Sequence, residues 1–310
     1  MIPFLAIILL LAAILLLLLT AASAYFFHFA HRRHADNAYL MESDVRRAYR
    51  DLVQNGLSYN KSIPHEILSV TSFDGLRLVG TYLPVEHPRG CILCFHGYRS
   101  TGMQDFAPMP KFYHALHLSV LIVDQRACGA SDGKHITFGI RERQDVLTWA
   151  QEMDHRLGGL PLLLDGLSLG ATTVMMAADL PLPKSVRGII ADCGFTSPWE
   201  ILSHCGKQWF HIPEFPLMYI LSVVSKLRFG GGYRSCSTLT SLANSTLPLL
   251  LLHGAEDDFV PTHMSEENYA AATGYKHKVI IPGAGHGMSY LVDMPKCQRE
   301  LAEFVDLLLK

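Results

Sequence analysis

Two patterns of apolar and polar positions divide the chain. Residues 4–29 are almost wholly Leu, Ile, Ala and Phe, and the first formal charge is Arg32. As a helix this run extends about 39 Å. That exceeds the roughly 30 Å hydrocarbon thickness of a bilayer, so residues 1–30 are predicted to form a tilted transmembrane anchor. A cleavable signal peptide competes, because Ala22-Ser23-Ala24 fits a small-residue cleavage site. Against cleavage, no Lys or Arg precedes the run, and apolar character resumes at Tyr25-Phe26-Phe27 before stopping at His31-Arg32-Arg33-His34. The uncleaved anchor is favoured.

Residues 31–62 are polar and helix-compatible, a linker to the body. From there short apolar runs alternate with helical patterns. Residues 67–73 and 76–83 flank Asp74-Gly75, a pair suited to a tight hairpin turn. Continuous apolar runs follow at 91–95, 120–123, 162–164, 188–191, 249–252 and 279–281, with helical candidates near 104–117, 140–155, 168–179, 263–273 and 290–309. Runs apolar on both faces suit a sheet covered on both sides. The fold class is therefore α/β, a mostly parallel sheet of about eight strands within residues 63–310. Residues 199–246 break the rhythm with a crowd of aromatic and aliphatic side chains, among them Trp199, Trp209, Phe210, Phe215 and Tyr219. An insertion of that length is expected to be a lid, the alternative being extra helices packed for stability.

Composition adds limits. The chain has 310 residues, 49% hydrophobic and 17% charged, with a formal net charge of −2. It can bury a full core, and no basic stripe exists to neutralise a phosphate backbone, so nucleic acid is not an expected partner. Arg32, Arg33, Arg46, Arg47 and Arg50 follow the apolar run and no cation precedes it, which predicts a cytoplasmic body. Seven scattered cysteines do not form a disulfide framework. Cys91 and Cys94 have metal half-site spacing, but they sit in an apolar run and read as buried strand thiols. His28, His31 and His34 read as interfacial packing at the membrane edge rather than a ligand set.

The chemistry centres on Gly166-Leu167-Ser168-Leu169-Gly170, which follows an apolar strand and opens a helical run. A serine on such an elbow needs flanking glycines where strand and helix meet. It also needs a base and an orienting acid downstream. His286 lies in the loop Gly283-Ala284-Gly285-His286-Gly287 after the last strand. For the acid, Asp257 ranks ahead of Asp258 and Asp192, each of which satisfies the chain order. An oxyanion would be met by the backbone N–H of Leu169 and by that of Tyr98 in the loop after the third strand. His96 is expected to hold that loop.

With these residues in view, the chain resembles serine hydrolases of the α/β-hydrolase superfamily. The resemblance is to membrane-anchored bacterial members and to serine aminopeptidase (S33) and monoacylglycerol-lipase-like esterases. It is carried by the elbow, by Phe95-His96-Gly97, by the stretch from Asp124 to Gly133, by the H-G-x-x-D-x-x-V-P pattern at 253–261, and by the terminal G-x-G-H-G. The pattern at 253–261 is what puts Asp257 first. Departures are Ala127 and Cys128 where the family commonly has Gly and His, and Asp165 before the elbow, expected to alter the pocket floor. The resemblance implies a cofactor-free, metal-independent hydrolase of a small or lipid acyl ester, with Ser168, His286 and Asp257 as triad. Thioester or amide cleavage by the same machinery is the alternative, and a non-catalytic binding protein is the alternative of another class.

Overall fold

The computed structural model describes residues 2–33 and 48–309. Its centre is a sheet of eight strands: β1 (Glu66–Thr71), β2 (Arg77–Leu83), β3 (Gly90–Phe95), β4 (Leu118–Asp124), β5 (Leu162–Leu167), β6 (Val186–Asp192), β7 (Leu249–Gly254) and β8 (Lys276–Ile281). They lie in the order β1-β2-β4-β3-β5-β6-β7-β8. β2 is antiparallel to both β1 and β4, and every other pairing is parallel. The apolar runs mark these strands but undershoot them. β4, β5 and β6 continue through Asp124, Asp165 and Asp192, and β8 begins at Lys276-His277-Lys278 because an edge strand keeps one side in water.

Twelve helices are described. The first six are α1 (Ile2–His31), α2 (Arg50–Ser62), α3 (Gly102–Asp105), α4 (Pro110–Ala115), α5 (Glu142–Arg156) and α6 (Leu169–Met176). The others are α7 (Pro198–Phe210), α8 (Leu217–Phe229), α9 (Thr238–Ala243), α10 (His263–Ala271), α11 (Ser289–Val292) and α12 (Met294–Leu308). Two helical candidates are split. Pro108 and Pro110 divide α3 from α4, and Asp293 starts α12 by accepting the Lys296 N–H at 3.1 Å.

Strand periodicity sorts the core into two layers. Leu93, Phe95, Leu121, Leu164 and Ile189 pack with Trp149 and Met153 of α5 and Val174 of α6. Ile92, Cys94, Ile122, Leu163 and Leu250 pack on the other face with Tyr113 of α4 and Leu301 and Phe304 of α12. Cys91 and Cys94 are thus buried strand thiols, one on each face. The insertion between β6 and β7 is α7, α8 and α9, with Ser197 capping α7 through the Glu200 N–H.

Residues Phe4–His31 of α1 have a mean hydropathy of 3.2 in their most apolar window, none of which is buried, so the helix is long and apolar enough to cross a membrane. Its last turns are docked on the body. Phe27 packs among Trp199, Leu221, Phe229 and Tyr233. His31 corrects the interfacial expectation: it is fully buried, with Nδ1 2.7 Å from the Ile136 carbonyl and Nε2 2.6 Å from the Tyr233 hydroxyl. The aromatic cluster and two polar partners offer it more than a membrane edge would. His28 remains exposed beside Arg32, and His34, Arg46 and Arg47 lie outside the described residues. α2 is held by Asn60, whose side chain donates to the Ala107 carbonyl at 3.1 Å.

Candidate active site

Every predicted site residue follows the C-terminal end of a parallel strand, where open α/β sheets gather their sites. β5 delivers Ser168 into a turn with φ 55° and ψ −112°, backbone space that costs energy for a residue with a Cβ. Two close approaches make the turn possible. A Cβ on Gly166 would lie 2.4 Å from the Ala171 nitrogen, and one on Gly170 only 1.8 Å from the Phe95 carbonyl oxygen. The Ser168 N–H donates to the Asp192 carbonyl at 2.8 Å, tying the elbow to β6.

The structure brings together Ser168, His286 and Asp257. Nε2 of His286 is 2.8 Å from the Ser168 hydroxyl, and Nδ1 is 2.7 Å from Oδ2 of Asp257. The carboxylate can only accept, so Nδ1 carries the ring proton and Nε2 accepts from the serine. Asp257 is itself immobilised: Oδ1 accepts the N–H groups of Phe259 at 3.0 Å and Val260 at 2.8 Å. Burial pushes its pKa up, but the hydrogen bonds of His253 and His286 outweigh burial and hold the carboxyl well below the ordinary range. Asp258 is exposed, and its carbonyl oxygen faces His204. Asp192 is buried, accepts the Ser289 hydroxyl at 2.8 Å and has its pKa raised by burial. Neither contacts the imidazole through a hydrogen bond.

His253 is a member that sequence reasoning passed over. It is fully buried, and its Nε2 lies 2.8 Å from the Val260 carbonyl and 3.2 Å from Oδ2 of Asp257. Both are acceptors, so Nε2 carries a proton and stabilises the same carboxylate oxygen that His286 uses. Burial lowers the His253 pKa, yet the Asp257 hydrogen bond and charge reverse that and raise it. Its spacing four residues before Asp257 was the available signal.

On the other side of Ser168, Leu169 is the first residue of α6, where main-chain N–H groups have no carbonyl one turn back. The loop after β3 is fixed by His96, whose Nε2 accepts the Gln125 N–H at 2.9 Å and whose Nδ1 donates to the Gly97 carbonyl at 2.7 Å. Asp105 was also missed. Its two oxygens accept the Gly97 N–H at 2.8 Å and the Ser100 hydroxyl at 2.7 Å. Tyr98 borders the cavity over Ser168, and its hydroxyl donates to the Ala30 carbonyl of α1 at 2.6 Å.

That cavity measures about 510 Å³, inside the usual range of about 300–1,000 Å³ for small-ligand sites. Its floor carries Ser168 and His286, and its walls are largely apolar, from α1, α7 and α8. Asp165 is not part of it, contrary to expectation. It faces the opposite side of the sheet, accepts the Tyr113 hydroxyl at 2.6 Å and borders a separate cavity of about 80 Å³ with Asp192 and Tyr290. Strand alternation explains this, since Asp165 is three residues before Ser168. Burial pushes its carboxyl up to about 7. Cys193, Asp257 and His286 bring three ligand-type atoms within 4.8 Å of one another. However, Asp257 and His286 spend theirs on each other, and burial holds the Cys193 thiol protonated.

Residues 92–297 match the Alpha/beta hydrolase family. Among relatives, the uncharacterized protein YqkD of Bacillus subtilis is 29% identical over 224 residues, covering 72% of this chain and 73% of YqkD. YfhR of Escherichia coli K12 is 25% identical over 232 residues, covering 71% and 73%. Among solved structures, the Pyrococcus furiosus esterase Pf2001 superposes with a TM-score of 0.66 at 19% identity, covering 91% of this chain and 98% of the esterase. Dienelactone hydrolase from Anabaena variabilis gives 0.58 at 16% identity, covering 80% and 99%. With its sheet order, its elbow and two thirds of its length matched, the chain belongs to the alpha/beta hydrolase family.

Proposed function

We propose that the protein is a membrane-anchored serine hydrolase that cleaves a carboxylic ester through an acyl-enzyme. The observation that carries the reading is the continuous hydrogen-bond line from the Ser168 hydroxyl through His286 to Asp257, at 2.8 and 2.7 Å, beneath an apolar cavity. In this mechanism Ser168 Oγ attacks the ester carbonyl as His286 Nε2 takes its proton. Asp257 keeps the ring in the required tautomer and stabilises the imidazolium. The main-chain N–H groups of Leu169 and Tyr98 receive the developing oxyanion. The imidazolium then protonates the departing alcohol, and water, activated by the same nitrogen, releases the acid.

The make-up of the cavity favours an acyl ester over a peptide amine. Its acids among the described residues are Asp105, whose two oxygens are taken by Gly97 and Ser100, and the exposed Glu214. The esterase among the structural neighbours points the same way. The test is fluorophosphonate labelling and p-nitrophenyl butyrate turnover of the full-length protein in detergent micelles, beside Ser168→Ala. Both signals should vanish in the variant. Turnover that survives Ser168→Ala would reject the assignment.

A further inference from the structure

We propose that the last two turns of α1 form one wall of the acyl-chain site, so that the acyl chain of a bilayer-resident ester lies against the anchoring helix itself. The inference deepens the hydrolase reading and depends on it for the ester.

Phe26, Phe29 and Ala30 share one face of α1 at positions i, i+3 and i+4, and all three border the cavity over Ser168. Phe210 of α7 meets both aromatic rings edge-on, at 5.2 Å from Phe26 and 5.8 Å from Phe29. The adjacent face, Ser23, Phe27 and His31, is buried in the body. The junction is built rather than incidental. The Tyr98 hydroxyl donates to the Ala30 carbonyl, and the Arg99 guanidinium donates to the Phe29 carbonyl and stacks on the Phe29 ring at 5.3 Å. Two carbonyls that a helix end leaves unpaired are thus satisfied by the loop beside the serine. A helix serving only as a tether has no need of such partners.

Toward its N-terminus the same helix exposes apolar side chains from Phe4 to Leu18. Cavity wall and membrane segment are therefore one continuous apolar surface. α8 extends it, because Tyr219, Val223 and Leu227 recur every fourth residue and stand exposed along one side, Leu227 at 81%, with Phe215 exposed just before the helix. Water is a poor neighbour for that stripe, and a lipid surface continuous with α1 is the occupant that fits it. An ester already dissolved in the bilayer can reach Ser168 along α1 without exposing its chain to water. The cavity of about 510 Å³ has room for such a chain.

The test uses full-length protein in lipid nanodiscs, comparing wild type with Phe29→Ala, the milder Phe29→Leu, and Leu11→Ala as a control on exposed α1 surface. The first readout is the ratio of kcat/KM for p-nitrophenyl dodecanoate over butyrate. Loss of contact with two methylenes, at about fourfold each, predicts a roughly sixteenfold fall in that ratio for Phe29→Ala. A smaller fall is expected for Phe29→Leu and none for Leu11→Ala. Equal loss on both esters, or an unchanged ratio, overturns the proposal. The second readout needs no turnover: binding of dansyl-undecanoic acid to Ser168→Ala protein should weaken about tenfold when Phe29→Ala is added. Unchanged binding overturns the proposal even if esters are hydrolysed. Weakened binding without turnover of any ester upholds the site and rejects the hydrolase reading.

Discussion

Asp257→Asn tests the tautomer argument with almost no change of shape. Oδ1 of Asp257 accepts two main-chain N–H groups, from Phe259 and Val260. The carbonyl oxygen of an asparagine takes that place, because main-chain donors cannot change tautomer, whereas Oδ2 faces two ring nitrogens, of which His253 Nε2 keeps the Val260 carbonyl as acceptor and His286 can move its proton. The NH₂ then falls at the Oδ2 position, 2.7 Å from His286 Nδ1. His286 can meet it only by accepting at Nδ1, which moves the ring proton to Nε2. The nitrogen facing Ser168 at 2.8 Å then has no lone pair for the hydroxyl proton. The expected loss is about 10⁴ in kcat, roughly 5 kcal/mol of transition-state stabilisation. The assay is p-nitrophenyl butyrate turnover by the full-length variant in micelles, with a circular-dichroism melt to verify folding. A folded Asp257→Asn protein that turns over within tenfold of wild type would refute the reasoning.

Three further outcomes follow from the geometry. Asp165 carries a carboxyl pushed from 3.8 to about 7 by burial, so between those values the native state keeps a proton that the unfolded chain has released. The stability that Asp165 itself contributes should fall as pH rises from 4 to 7 and then level off, and it is read as the difference between wild type and Asp165→Asn. Asp165→Asn should remove about 3 kcal/mol of the stability change between pH 5 and pH 8, read from urea melts; a wild-type-minus-variant difference that does not move with pH would contradict the assignment. Gly170→Ala drives a Cβ to 1.8 Å from the Phe95 carbonyl, and should cost about 3 kcal/mol or more and abolish fluorophosphonate labelling; a variant labelled at the wild-type rate would show that the elbow relaxes freely. Arg126 is 2% exposed and bridges Asp145 at 2.6 Å and Asp74 at 3.0 Å. Arg126→Met strands the buried Asp145 carboxylate, while Asp74 keeps Arg141 at 2.6 Å, and should cost about 3–5 kcal/mol in a thermal or urea melt, whereas a loss under 1 kcal/mol would place the pairing among the dispensable ones.

Much of the sheet could be read from the chain because burial on both faces writes strands as unbroken apolar runs. What escaped were the residues that end them. Asp165 and Asp192 sit on buried strands, yet a carboxylate in sequence looks like a loop, and only strand pairing shows which face it takes. Ser168 and His286 were legible because an elbow and a terminal glycine-rich loop have local signatures. Choosing among Asp257, Asp258 and Asp192 needed coordinates, since adjacent residues point in opposite directions. His253 and Asp105 were harder still: they act by holding other groups, through contacts set by tertiary packing. His31 misled because a histidine beside an apolar segment looks interfacial, and its partners Ile136 and Tyr233 lie more than a hundred residues away.

α1 is two devices in one helix, and the boundary between them falls near Ser23. N-terminal to it the side chains face outward; C-terminal to it Phe26, Phe27, Phe29, Ala30 and His31 are built into the body. Shortening the chain between Ala24 and Tyr25 therefore sheds the exposed apolar turns and leaves those side chains in place, whereas shortening it anywhere in residues 34–47 strips them away. The first truncated protein loses its exposed apolar segment; the second loses part of its cavity.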